Sequence, residues 1–177
     1  MFVEYFPLFA IFVGQICAQL DLATLRQQAL VSTNEKRALY CVPNLVSNSS
    51  LNQLAQDYAD YLAANDLFEH NSGRPSRVGE NLFRLSRSSA ITSFNGSRAV
   101  ESWFSEITKY NYSDPQYSSK TGHFTQLIWK ATTQVGTGFA LSSDSLKIIV
   151  VANYYPAGNV QGGFVANVLQ PCDVGGD

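Results

Sequence analysis

A change of period partway along the chain constrains its fold more than any other feature. Leu51, Leu54, Ala55, Tyr58, Ala59 and Leu62 recur at the spacing that lines one face of an α-helix, with Ser49 or Ser50 placed to cap its start. Such a stripe is stable only when apolar surface covers it. A second helix is expected from about Ser97 to Lys109, where Val100, Trp103, Phe104 and Ile107 repeat the spacing, and a weaker one from about Leu22 to Leu39. Between the stronger two, Asn71 to Gly79 is rich in Gly, Pro and Ser, which is loop chemistry. The pattern then switches. Gln134 to Leu141 alternates small and apolar residues, and Lys147 to Tyr155 is a β-branched and aromatic run. Ser142-Ser143-Asp144-Ser145 between them is short enough to make the two strands an antiparallel hairpin. Helices first and a small antiparallel sheet afterwards give an α+β class.

At 177 residues with 45% hydrophobic content, the chain can form one domain with a sizeable core. The net charge of -2 leaves no basic footprint for nucleic acid. No apolar run reaches the roughly 18 residues of a transmembrane span. Residues 1–18 read as a secretory leader, with the apolar run Phe6 to Gly14 followed by the small Ala18 at a cleavage position, and residues 19–177 as the folded domain. The competing reading is a buried N-terminal helix, since the first five residues carry Glu4 and no Lys or Arg. Export matches the three N-x-[ST] sequons at Asn48, Asn95 and Asn111. Of three cysteines, loss of the leader removes Cys17 and leaves Cys41 and Cys172, an even count that allows one bridge or two free thiols.

The segment Gly122-His123-Phe124-Thr125-Gln126-Leu127-Ile128-Trp129-Lys130 is followed by Val135-Gly136-Thr137-Gly138 and by Val151-Ala152-Asn153-Tyr154-Tyr155-Pro156-Ala157-Gly158-Asn159-Val160. Upstream stand Asn34-Glu35-Lys36-Arg37 with Pro43 and Leu45, then His70-Asn71, then Gly79-Glu80-Asn81-Leu82. In this order, from about Leu22 to Pro171, the set resembles the CAP superfamily of cysteine-rich secretory, antigen five and pathogenesis-related proteins. The resemblance implies a three-layered α-β-α sandwich. It also implies that His70, His123, Glu80 and Glu106 meet in a central cleft. Thr137 and Ala152 stand where most secreted members carry bridged cysteines, a departure that resembles the Golgi-associated subgroup. That subgroup is anchored through an N-terminal Gly, whereas residue 2 here is Phe.

His70 and His123 are the only histidines. Two imidazoles with two carboxylates can hold zinc or copper, with the carboxylates orienting the rings. They can also move protons as a hydrolase would, or form a polar network that only stiffens the fold. Hydrolysis lacks its usual companions: there is no H-E-x-x-H or G-x-S-x-G, and Ser102, Ser105 or Thr125 would have to serve as the nucleophile near a histidine. The loop Tyr110 to Tyr117 carries Tyr110, Tyr112 and Tyr117 at a spacing that resembles the caveolin-binding-like pattern of sterol-binding members. Tyrosine suits a lipid cover, being apolar on its face and polar at its tip. The composite expectation is a secreted binding protein taking divalent metal and a sterol or other lipid; the rivals are a hydrolase and an extracellular defence or signalling ligand for a protein partner.

Overall fold

In the computed structural model, which describes residues 20–172, the chain runs α1 (Leu22–Ala38), β1 (Val46–Ser47), α2 (Ser49–Ala64), β2 (Gly79–Ser86), α3 (Ser97–Phe104), a 3₁₀ turn (Ser105–Lys109), α4 (Gly122–Leu127), β3 (Gln134–Leu141), β4 (Lys147–Tyr155) and α5 (Phe164–Asn167). The leader expected over residues 1–18 lies outside the described residues. One sheet has the order β1-β3-β4-β2. Both of its long pairings, β3 with β4 and β2 with β4, are antiparallel, and the two-residue β1 adds a parallel edge to β3 that makes the sheet mixed.

Alternation along the strands sorts the side chains into two layers. Val150, Ala152 and Tyr154 of β4 face α1 and α3, packing with Leu25, Ala29, Val100 and Trp103. Ile149 and Val151 face α2, packing with Ala55, Ala59 and Leu62 of the stripe. The α+β sandwich with helices on both faces is therefore what the chain adopts. Close approach of α2 to β3 explains two glycines: a Cβ at Gly136 or Gly138 would overlap the backbone of Leu51–Asn52 or Ala55–Gln56. Past the end of β1, the open edge of β3 is closed by helix side chains. Asn52 Oδ1 accepts the Thr137 N–H at 2.8 Å, the Gln56 amide exchanges two bonds with Phe139, and Arg26 donates to the Thr137 carbonyl at 2.9 Å. Backbone groups that an added strand would have used are thus occupied.

The motif around Arg37 is a structural lock. Its guanidinium is fully buried and donates to the carbonyls of Pro43, Leu127, Trp129 and Thr132 at 2.8, 2.9, 3.0 and 3.1 Å. Asn34 exchanges two bonds with the Leu45 backbone. Cys41 and Cys172 are disulfide-bonded across 131 residues, joining the segment after α1 to the C-terminal end of the described chain. Thr137 and Ala152 stand opposite each other on β3 and β4.

Three local expectations change. The cap of α2 is Asn48, whose Oδ1 accepts the amides of Ser50 and Leu51 at 2.9 and 3.1 Å, because Asn48 is the last extended residue before the helix and its carboxamide reaches the first turn. The helix expected to reach Lys109 tightens into 3₁₀ geometry after Phe104, where Ser105 and Thr108 hydroxyls bond back to the Ser102 and Ser105 carbonyls. Gly79 ends no loop; it begins β2. Among the described residues no helix is long and apolar enough to cross a membrane.

Candidate functional site

Glu106 in the 3₁₀ turn and His123 in the first turn of α4 form one pair. The His123 Nδ1–H donates to Glu106 Oε1 at 2.7 Å, while Oε2 accepts the backbone amides of His123 and Phe124 at 3.0 and 3.1 Å. One carboxylate therefore orients the imidazole and satisfies two amides at the start of a helix that has no side-chain cap from Thr121. Trp103 stacks on the His123 ring, with centroids 6.5 Å apart. Asn81 donates through Nδ2 to the His123 carbonyl at 3.0 Å.

The second pair stands where the loop after α2 meets β2. His70 Nδ1–H donates to Glu80 Oε1 at 2.7 Å, and the same oxygen accepts the Asn71 amide at 3.0 Å. Tyr58 steadies this loop by donating to the Glu69 carbonyl. The Glu80 side chain is 1% exposed and that of His70 57%, so the carboxylate forms the floor and the imidazole the rim. Glu80 and Asn81 are consecutive in an edge strand and project from opposite faces. The two His–Glu pairs consequently approach the same end of β2 from its two sides.

In both pairs a carboxylate accepts the Nδ1–H, so the nitrogen available to a metal ion is Nε2. Carboxylates holding imidazoles in this way is the arrangement that orients metal-binding histidines. Among the described residues no group of three or more His, Cys, Asp or Glu side chains gathers to hold a metal ion, so an ion here would rest on two imidazoles. Two protein nitrogens are fewer than the three or four of the usual zinc sites. They fit a loosely held ion whose remaining positions belong to water or a ligand. The hydroxyls of Ser105 and Thr125 bond to the carbonyls of Ser102 and Thr121, and among the described residues neither they nor Ser102 hydrogen-bonds an imidazole.

The tyrosine loop divides. Tyr110 and Tyr112 turn inward, edge to face at 4.8 Å, against the second core cluster of Tyr40, Phe124 and Trp129. Burial pushes the hydroxyl pKa of both above the ordinary value. Tyr117 is 60% exposed and borders a cavity of about 400 Å³ lined also by Pro115, Asn159, Gly162 and Phe164. Its ring lies over Gly122, where a Cβ would come within 3.2 Å of it, so the loop touches the start of the helix that carries His123. Among the sequons, Asn95 and Asn111 are exposed, while Asn48 is half-buried and donates Nδ2 to Gln134 Oε1 at 2.6 Å.

Sequence reasoning missed Asn81, Trp103 and the internal role of Arg37 because their partners lie far away in the chain. The signal available was that Arg37 and Asn81 stand in motifs and Trp103 in an apolar helical stripe.

Residues 30–154 match the sequence profile of the Cysteine-rich secretory protein family, CAP. The chain belongs to the CAP family. Golgi-associated plant pathogenesis-related protein 1 of Homo sapiens is 39% identical to this CAP protein over 147 residues, which cover 81% of this chain and 92% of the human one. Secreted protein RBT4 of Candida albicans is 34% identical, across 77% of this chain and 36% of its own length. The crystal structure of NaASP2 with Zn2+ shares the CAP fold at a TM-score of 0.66, with 20% identity over 88% of each chain.

Proposed function

We propose that this CAP protein is an extracellular binding protein whose His70 and His123 together hold zinc or copper. The observation that carries the reading is the use of each Nδ1 by a buried or half-buried carboxylate, which fixes the tautomer and leaves Nε2 for a ligand. A protein of the same fold crystallised with Zn2+ supports it. The Cys41–Cys172 bridge and the relative named as secreted support the extracellular setting. The residues supply binding and orientation; the ion, when bound, would supply Lewis acidity toward a ligand completing its shell.

Calorimetric titration with zinc tests this. Binding is expected near neutral pH, weakened at least tenfold by His70→Ala or His123→Ala, and falling as pH drops because protons compete for the imidazoles. Binding unchanged in the double alanine variant would reduce both pairs to a structural network. Peptidase or esterase turnover lost in His123→Ala with the fold intact would favour the hydrolase instead.

A lipid role for the tyrosine loop rests on Tyr117, exposed beside the cavity while Tyr110 and Tyr112 anchor the loop from below. Burying a few hundred Å² of sterol at about 25 cal/mol per Å² contributes several kcal/mol before ordering costs are subtracted. Tyr117→Ser should reduce sterol retention and spare zinc binding. Equal sterol binding by the variant would remove the loop from the site.

A further inference from the structure

Glu80 Oε2 and Asn153 Oδ1 are two buried oxygens without a hydrogen-bond partner among the described residues, and they belong to residues directly opposite each other on β2 and β4. Opposed residues of an antiparallel pair share a face with Cβ atoms about 5 Å apart. Both side chains leave on the α2 side, the side of Leu82 and Val151. Asn153 is 1% exposed, and its other cross-strand neighbour is Gly136, which has no side chain to offer. Two acceptors cannot satisfy each other, and a carboxylate oxygen buried alone is costly. The donor within reach is the Asn153 amide itself. Its Nδ2 is engaged only in a long 3.4 Å bond to the Gly79 carbonyl. Rotating the carboxamide by half a turn leaves its shape unchanged and gives up that long contact, setting Oδ1 beside the Gly79 carbonyl, in exchange for a charge-assisted bond to Glu80.

We propose that Asn153 is a positioning residue for the His70–Glu80 pair: its amide N–H donates to Glu80 Oε2 and thereby holds Oε1 toward His70 and Asn71. The inference rests on the reading of His70 as a ligand, since only then does its orientation matter, yet it is tested without metal. In wild-type protein, NMR should show one Asn153 side-chain amide proton shifted downfield, and Glu80→Gln should abolish the shift. Asn153→Leu should convert His70 from a single Nδ1–H tautomer to a mixture, read from its ring nitrogen shifts, while His123 keeps one tautomer as the internal control. Zinc affinity should fall about tenfold, the lower range for loss of groups that orient a ligand. An unshifted Asn153 amide in the wild type, as a bridging water would give, overturns the proposal. So does a single His70 tautomer in folded Asn153→Leu. If that variant does not fold, the wild-type and Glu80→Gln spectra decide alone. Absence of zinc binding by the wild type would instead defeat the metal reading and leave the tautomer result standing.

Discussion

Replacing Arg37 with Met should destabilise this protein more than most single changes can. Its guanidinium donates to four carbonyls in two separate segments, Pro43 after α1 and Leu127 to Thr132 after α4, and has no carboxylate partner among the described residues. Bonds to a charged group contribute about 1.5–3 kcal/mol each, so the four would sum to roughly 6–12 kcal/mol if they were independent. Opposing them, burial draws the guanidinium pKa down to about 10, which at about 1.4 kcal/mol per pH unit is a desolvation cost of about 3 kcal/mol. Methionine removes that cost and fills much of the space, but leaves the carbonyls of Pro43, Leu127 and Thr132 short of a donor. A net loss of about 3–5 kcal/mol is expected, as for breaking other buried charged networks. Lysine, with three donors at one point in place of a planar fork, should lose about 2–4 kcal/mol. Urea unfolding followed by the fluorescence of buried Trp103 and Trp129 measures both. A loss below about 1 kcal/mol in Arg37→Met, with the urea dependence unchanged, would show that water or a backbone shift meets those carbonyls and that the lock is dispensable.

Reduction of the Cys41–Cys172 bridge, which closes a loop of 131 residues, should cost about 2–4 kcal/mol in the same unfolding assay. Asn48→Ala should cost about 1 kcal/mol through loss of the α2 cap; mass spectrometry of protein secreted from a eukaryotic host should find glycan at Asn95 and Asn111 in preference to Asn48, whose amide nitrogen is committed to Gln134. Alkaline pH should unfold the protein. Burial raises the hydroxyl pKa of Tyr40 and Tyr154 well above 10, so their contribution is complete below pH 10 and is lost as pH rises past the value of the unfolded tyrosines. Arg37, lowered by burial, works the other way in that range, and a stability that rises between pH 10 and 11 would show that it dominates.

Much of this architecture could be read from local pattern. The stripe of α2, the apolar face of α3 and the β3–β4 hairpin carry their periods within single segments, and those segments fold as their periods require. The expected cap of α2, Ser49 or Ser50, gives way to Asn48, since Asn and Ser are both good caps and only backbone geometry separates them. β2 was read only as a motif after a loop: Gly79 to Leu82 are all buried, and a strand buried on both faces does not alternate. Of the tyrosines, only the packing of Tyr110 and Tyr112 beneath the loop distinguished anchors from the exposed Tyr117.

Sequence alone determined that two histidines and two glutamates lie in motifs of one family, and that helices on an antiparallel hairpin would make an α+β domain. Tertiary structure decided that His70 meets Glu80 and His123 meets Glu106. It also decided that Arg37 is an internal donor and that Asn153 stands opposite Glu80. The physical reason is range. A helix or hairpin is specified by residues a few positions apart, whereas which carboxylate reaches which imidazole depends on strand register and on how the helices pack against the sheet.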